Sequence, residues 1–504
     1  MYQDRPRALC TLTKGRAGPA GAAERHGTHF SGVFMVRLKI AVAAAAGVLA
    51  GGLAMPSAAS ADTTQIVYAW GYNAYGQAGA DPAIAGDHVL SAVPVQGAAA
   101  NVTQLAGGTG RKGGTSVLSL RSDGTVWGWG RNDFHQLGDL TQAYSFAPVQ
   151  IHGLPPGIVQ VAGGLHHSLA VAADGSVWTW GSNAHGALGY PTPGADSSPT
   201  PHQVPGLSGV RQVAAGEDFT VALRSNGEVS TWGRNDIGQL GDGTLTDRTT
   251  PARNLTGYGI TQVSAGRYYA LARRPGSVWA WGDNYFGELG NGSAAAHSAT
   301  PVIVDRRTQN ATQIVAGTMH AFTVDPDGSL WAWGDNSRGQ LGLGLVGPTV
   351  RTPQKVPGLA GVTQLAAGYV ENIARRSDGT LLVWGAEEAG LRGDGIDRGF
   401  SSLPVPTAVT PLHGVTRIAL APGTVLVLAP AVTMPHVVGE LRASALADLH
   451  ALGLSVRELF VPDPDRTCPH VGLVESQNPP PGTIVGPGTH VTIRVYVNAQ
   501  GGCF

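Results

Sequence analysis

Short runs in which apolar and polar residues alternate, punctuated by Asp-Gly or Asn-Gly, fill most of the chain between residues 66 and 430. In VWGWG at 126–130, Trp127 and Trp129 stand two apart and so project from one face of a strand, while Val126 and Gly128 project from the other. Large residues then face small ones across stacked layers, which fills space without voids. A second phrase recurs upstream: VAGGLHHSLAV at 161–171, VAAGEDFTVAL at 213–223, VSAGRYYALA at 263–272, IVAGTMHAFTV at 314–324 and LAAGYVENIA at 365–374. Between the phrases lie Asp123-Gly124, Asp174-Gly175, Asn226-Gly227, Pro275-Gly276, Asp327-Gly328 or Asp378-Gly379. Asp-Gly and Asn-Gly readily take the positive φ of tight hairpins, so each joins two strands. Segments such as 301–304 and 353–356 supply a further strand, and each unit amounts to about four strands and no helix, the content of one propeller blade.

The Trp-Gly pair falls at Trp70, Trp129, Trp180, Trp232, Trp281, Trp333 and Trp384, spaced by 59, 51, 52, 49, 52 and 51 residues. All eleven tryptophans lie in these strands and read as core, with carbohydrate stacking as the sharper alternative. The first copy, IVYAWG at 66–71, lacks its upstream phrase, and GVTRIALAPGTVLVLAP at 414–430 carries that phrase with no Trp-Gly strand after it. Pairing the two closes a ring and removes exposed sheet edges. The fold predicted is all-β: a seven-bladed propeller over 62–430 whose closing blade is shared by both ends, followed by a small α+β domain over 433–504.

WGxNxxGQLG after a strand, with AAGxxHxxAL before it, resembles the regulator of chromosome condensation repeat over Ile66 to Pro430. The pattern departs at Trp384-Gly385-Ala386-Glu387, which lacks the asparagine present as Asn284 or Asn336, and at Gln77-Ala78-Gly79 in the first copy. The resemblance implies a propeller used as a protein-binding platform. Guanine nucleotide exchange, the activity of eukaryotic relatives, does not suit an exported chain.

Export is read from MVRLKIAVAAAAGVLAGGLAMPSAASAD: basic Arg37 and Lys39, an apolar run from Ile40 to about Leu53, and small residues before a cleavage between Ala61 and Asp62 make 35–61 a secretory signal peptide. The run is short for a membrane span, so none is expected after cleavage. Residues 1–34 show no periodicity and read as an over-extended start, the alternative being a genuine longer leader. Cleavage would remove seven of the 33 basic and two of the 34 acidic residues, leaving 26 against 32 and a net charge of −6. That balance gives no nucleic-acid footprint beyond Arg111-Lys112. Only Lys112 and Lys355 would remain as lysines; with heavy Ala and Gly usage this fits a high-GC, actinobacterial coding bias. Cys468 and Cys503 would be the remaining cysteines, able to bridge in an oxidising compartment, with free thiols as the alternative.

After Pro430, Leu441, Ala445, Leu449 and Leu452 fall at helical spacing with Gly453 as a stop, and VGLVESQ and VTIRVYV alternate like strands. The order Pro435-x-Val437-Val438-Gly439, helix, Gln477-x-Pro479-x-x-Gly482, Val491-Thr492-Ile493 resembles a PASTA domain over 433–498. That family occurs on exported proteins of Gram-positive bacteria and is linked to peptidoglycan fragments and β-lactams. Glu475, Gln477 and Arg494 are the side chains expected to hydrogen-bond a muropeptide.

No GxSxG, HExxH or CxxC occurs, so neither a nucleophile elbow nor a zinc site is signalled, and no cofactor or metal is expected. Gly108-Thr109-Gly110-Arg111-Lys112-Gly113 fits GxGxxG but opens no helix, and reads as an insertion between two blade strands. His167, Phe219, Tyr269, His320 and Glu371 share one repeat position, so the histidines there read as structural. The pairs just before them, Leu165-His166, Glu217-Asp218, Arg267-Tyr268, Thr318-Met319 and Tyr369-Val370, have no common chemistry. A repeat holds constant what builds the blade and varies what the blade displays, so these pairs, with Arg111 and Lys112, form the candidate binding face. The expected function is a secreted, monomeric, non-catalytic binder of an extracellular protein, tethered to the cell wall through the PASTA-like domain. The alternatives are an inhibitor of an extracellular enzyme of the β-lactamase type, and a propeller lyase using Glu217, Asp218 and His166.

Overall fold

Four-stranded antiparallel sheets follow one another along the chain because each repeat supplies four short strands joined by tight turns. The computed structural model describes residues 65–98, 101–110, 116–140, 143–192, 196–409, 414–464, 469–486 and 489–498. The expected leader with its Ala61–Asp62 cleavage, Arg111, Lys112, and the Cys468–Cys503 pair lie outside these residues. Blades 2 to 7 span 102–150, 158–203, 210–255, 262–303, 313–355 and 362–408. In blade 5 the strands, a to d from the axis outward, are Gln262–Ala265, Tyr269–Arg274, Ser277–Asp283 and His297–Ile303. Strands a touch their neighbours in order around the ring and back to the start, so the propeller is closed.

Blade 1 takes strands a and b, Arg417–Ala421 and Thr424–Pro430, from the far end of the repeats, and strands c and d, Gln65–Tyr72 and His88–Pro94, from the near end. The join runs in register from Gln65 opposite Pro430 to Gly71 opposite Thr424, as the split repeat predicts.

The tryptophans divide into two sets. The seven that precede glycine are fully buried. Each donates its indole N–H across the seam to a main-chain carbonyl of the preceding blade, at 2.7–3.0 Å: Trp70 to Leu391, Trp129 to Gln77, Trp180 to Gln136, Trp232 to Ala187, Trp281 to Gln239, Trp333 to Glu288 and Trp384 to Gln340. A buried indole N–H needs such a partner, and the ring adds roughly 150–250 Å² of buried area. The other four, Trp127, Trp178, Trp279 and Trp331, are half-buried and bond to their own blade's turn, so the expectation of eleven core tryptophans holds for seven.

The asparagine of the repeat folds the c–d loop. Asn284 Oδ1 accepts the Leu289 amide at 3.1 Å, and Asn73, Asn132, Asn183, Asn235 and Asn336 make the same bond. A ring of glutamines on strands a then clamps neighbouring blades. Gln160 accepts the Val213 amide at 2.8 Å and donates to the Val213 carbonyl at 3.0 Å; Gln104, Gln212 and Gln262 do likewise. The shared position that opens strand b is structural, as expected. His167 meets Thr220 at 3.1 Å, His320 meets Asn372 at 2.7 Å, and Glu371 accepts the Gly423 amide at 2.6 Å.

The C-terminal unit packs helix Arg442–Ala451 on a sheet ordered Ser455–Pro462, His490–Val497, Val474–Asn478, the first two parallel. Ala445 and Leu449 are buried with Val437, Leu454, Val491 and Ile493. Leu441 and Leu452 are 63% and 36% exposed, because they sit at the helix caps and not on its buried stripe. The connector is no free tether. Val432–Thr433 pairs with Ile484–Val485, and the buried Tyr68 hydroxyl of blade 1 lies 3.1 Å from the Val485 carbonyl, 3.2 Å from the Pro430 carbonyl and 3.2 Å from the Val432 amide. Gly486 sits so close to the Ala92 carbonyl of blade 1 that a Cβ would fall 2.1 Å from it.

Candidate functional face of the propeller

Because each blade is an antiparallel meander, its a–b and c–d loops emerge at the same end. The glycine after each buried tryptophan seats these loops together. Gly282 has φ of +94°, and a Cβ there would lie 2.3 Å from the Tyr268 carbonyl in the a–b loop. Only glycine allows that approach at that dihedral.

The variable pairs occupy the a–b loops, and they form a bonded collar, not free turns. The Glu217 amide donates to the Arg267 carbonyl at 2.9 Å, Arg267 to Thr318 at 3.1 Å and Thr318 to Gly368 at 2.9 Å. Leu165, Asp218, Thr318 and Val370 are buried; His166, Glu217, Arg267, Tyr268, Met319 and Tyr369 are half-buried. The insertion at Gly108 belongs to blade 2 and crosses the mouth of the ring. Thr109 Oγ1 donates to the Ala215 carbonyl of blade 4 at 3.0 Å, and Gly110 accepts from Thr318 Oγ1 of blade 6 at 3.1 Å. Blades 2, 4 and 6 are not neighbours, so the segment spans the axis, with Leu165 packed beneath Gly110.

Charge concentrates between blades 4 and 5. Glu217 pairs with Arg267 and accepts the Tyr268 hydroxyl at 2.8 Å. Arg234 and Arg267 lie over the Tyr268 ring at 4.8 and 4.5 Å, and Arg234 grips Asp236 through two bonds of 2.9 and 2.6 Å. Burial alone would raise the Glu217 pKa, but the bonds from Arg267 and Tyr268 hold it below the usual glutamate range. Asp218 is the opposite case: burial, then the charge of Glu217, push it up to about 6 against the pull of His185, Arg234 and Arg267. His166 stacks on Phe134 of blade 2 at 4.2 Å, and burial and Arg131 lower its pKa to about 4. The three residues of the lyase alternative thus lie near enough for Glu217 to act on both Asp218 and His166, with Glu217 itself committed to Arg267 and Tyr268.

Arg234, Asp236, His185 and Phe134, on the c–d loops, complete this face and were not among the sequence candidates. A signal for Arg234 existed: it fills the x of Trp-Gly-x-Asn, a position that varies as Tyr72, Arg131, Ser182, Arg234, Asp283 and Asp335 between constant neighbours. In the C-terminal unit, Gln477 is already committed. Its Oε1 accepts the Val437 amide at 2.8 Å and its Nε2 donates to the Pro435 carbonyl at 2.9 Å, so it holds the opening Pro-x-Val segment and has little left for a ligand. Glu475 and Arg494 pair with each other at 2.9 Å on the surface. Among the described residues no group of three or more His, Cys, Asp or Glu is placed to hold a metal.

The RCC1-like domain family matches residues 140–431, and the PASTA domain family matches 432–497. The human E3 ubiquitin-protein ligase HERC2 is 31% identical over 274 residues, which are 52% of this chain and 6% of HERC2, so the chain spans a small fraction of that relative. Ultraviolet-B receptor UVR8 of Arabidopsis thaliana is 30% identical over 349 residues, 67% of this chain and 77% of the receptor. Protein pim1 of Schizosaccharomyces pombe is 31% identical over 341 residues, 59% of this chain and 62% of pim1. Among crystal structures, human WBSCR16 superposes with a TM-score of 0.64 at 23% identity, covering 73% of this chain and 99% of that one. Prp20p of Saccharomyces cerevisiae, studied for its binding to Gsp1p and histones, gives 0.65 at 22%, covering 73% and 92%.

Proposed function

Since the chain belongs to the RCC1-like domain family and carries a PASTA domain behind its propeller, we propose that it is a non-catalytic protein-binding platform, exported and held at the cell wall by the PASTA domain. The observation that carries this is the collar. Its charges are fixed by one another, in the half-buried Glu217–Arg267 pair and the more exposed Arg234–Asp236 pair flanking Tyr268, on a collar whose a–b loops are bonded blade to blade. A surface ordered before its partner arrives loses less entropy on binding. Relatives with the same fold are consistent with it, Prp20p being studied for binding to Gsp1p and histones. Export rests on the signal-like stretch 35–61, and wall attachment on the PASTA domain, where the exposed Glu475–Arg494 pair offers both signs of charge to muropeptide carboxylates and amides. One small domain has limited contact area, so its Kd for peptidoglycan is expected on the order of 0.1–1 mM.

The test is sedimentation with purified peptidoglycan, comparing the exported protein with a form ending at Pro430 that still melts cooperatively. Retention of the first and loss of the second is expected. Equal retention of both would remove the PASTA domain as the attachment.

A further inference from the structure

Among the described residues, Asp218 is the one collar carboxylate held by neither a hydrogen bond nor an ion pair, the charges of His185, Arg234 and Arg267 acting on it only at longer range. The residue is 9% exposed, yet no hydrogen bond or ion pair from the described residues reaches its side chain. Its neighbours are engaged elsewhere: Arg267 with Glu217, Arg234 with Asp236 through two bonds, and His185 with Asp247 at 2.6 Å. Counting Glu217, Asp218, Asp236 and Asp247 against Arg234 and Arg267, the group is negative overall. Leaving a nearly buried carboxylate without a partner is unfavourable, and that is relieved when a cation is brought to it.

The surroundings repeat this preference over a longer range. The seven c–d loops that frame the collar, 73–87, 132–143, 183–196, 234–247, 284–296, 335–349 and 387–401, contain 14 acidic and four basic residues, an excess that remains with the buried Glu288, whose pKa is pushed up to about 8, left out. Such a surplus attracts a basic surface before contact. The c–d loops of blades 4 and 5 also expose Leu245 by 50% and Tyr285 by 66%, the latter edge-on to Phe286 at 4.9 Å.

Building on the platform reading above, we propose that Asp218 is the anchor for a basic side chain of a protein partner that docks on the collar. The other occupants, a carbohydrate or an acidic peptide, supply no positive group for Asp218.

Fluorescence anisotropy with labelled hexa-arginine, hexa-lysine and hexa-glutamate tests this on the full exported chain, using Asp218→Asn and, at the opposite face, Glu228→Gln. Binding of a basic peptide and not of hexa-glutamate is expected, weakened at least about tenfold by Asp218→Asn and unchanged by Glu228→Gln. The Asp218 carboxyl, followed by carbon NMR, should titrate at lower pH once the basic peptide is bound. Equal affinity of Asp218→Asn and the unaltered chain, with folding of both verified by melting, would overturn the anchor; so would the absence of basic-peptide binding. A photo-crosslinking residue at position 245 separates this from the platform itself. Crosslinks to a protein partner that persist undiminished in Asp218→Asn overturn the anchor and leave the platform standing, whereas no protein crosslink from the unaltered chain removes both.

Discussion

The seam between blades 5 and 6 and the seam between blades 7 and 1 meet the same demand with different residues. At the first, Trp333 donates to the Glu288 carbonyl, Asn284 folds the c–d loop onto the Leu289 amide, and Gln262 clamps Ile314. At the second, Glu387 replaces the asparagine and bonds Arg392 and Ser401, Leu391 stands where four other blades have Gln, and Gln364 of blade 7 donates to the Thr416 carbonyl at 2.8 Å. Trp70 still donates to the Leu391 carbonyl at 2.9 Å. What survives at both seams is a donor, the indole or the strand-a glutamine amide, and a main-chain acceptor. An acceptor that belongs to the backbone places no demand on the side chain of its residue, so that position is free to drift while the blades stay joined.

Breaking the closing seam should have the largest effect. Deleting 414–430 removes strands a and b of blade 1 and leaves the Gln65–Tyr72 edge unpaired, so insoluble protein is expected. A soluble, monomeric deletion that melts cooperatively would reject closure by a shared blade.

Within one blade, the two tryptophan sets should separate in thermal or denaturant melts. Trp281→Ala empties a fully buried site and loses the bond to Gln239, so a loss of about 3–5 kcal/mol is expected. Trp279→Ala removes a half-buried ring that meets Tyr258 edge-on at 5.3 Å, and about 1 kcal/mol is expected. Equal losses would mean that the outer tryptophan also holds the seam.

The smallest change sharpens the 5–6 seam by restoring its common residue. Glu288 stands where Gln77, Gln136, Gln239 and Gln340 stand in other blades, and its Oε2 accepts the Phe286 amide at 2.9 Å as their Oε1 atoms accept the equivalent amides. Burial, then the charge of Asp283, push its pKa up to about 8, so at neutral pH the folded protein keeps a proton that the unfolded chain gives up above about 4.5. The folded state binds more protons in that window, and stability therefore falls as pH rises from about 4.5 to 8. Glu288→Gln removes this slope. A gain on the order of 2 kcal/mol at pH 8 that vanishes below pH 4.5 is expected, read from melts across that range. A gain that does not depend on pH would place the effect elsewhere.

The ring and its closure were legible because seam chemistry is repeated: Trp-Gly, Asn and the Asp-Gly hairpins recur in register, and a split repeat at 66–71 and 414–430 has one economical reading. The collar was legible in part, since variable pairs beside constant ones marked the a–b loops. What was hidden depends on single residues that meet across long stretches of chain. Thr109 reaching Ala215 and Gly110 reaching Thr318 are unique contacts, and the sequence offers them no second copy to compare. Tyr68 reads as an ordinary strand residue, and only the fold brings Val485 beside it, 417 positions away. The glutamine clamps did recur, as Gln104, Gln160, Gln212 and Gln262 ahead of each upstream phrase, but a polar residue on an inner strand shows its purpose only once the next blade is in place. Leu441 and Leu452 matched helical spacing because spacing says nothing about where a helix stops.

The shared blade also sets an order of events. A chain made from its N-terminus completes blades 2 to 7 from neighbouring segments as each appears, but Gln65–Tyr72 must wait for Thr424–Pro430, more than 350 residues later. Contacts of such separation form late, since a long loop has to close before they are rewarded. The propeller is therefore an open arc for nearly the whole of its synthesis, and Val432–Thr433, arriving immediately behind the last strand, brings the second domain down on the join as soon as it is made.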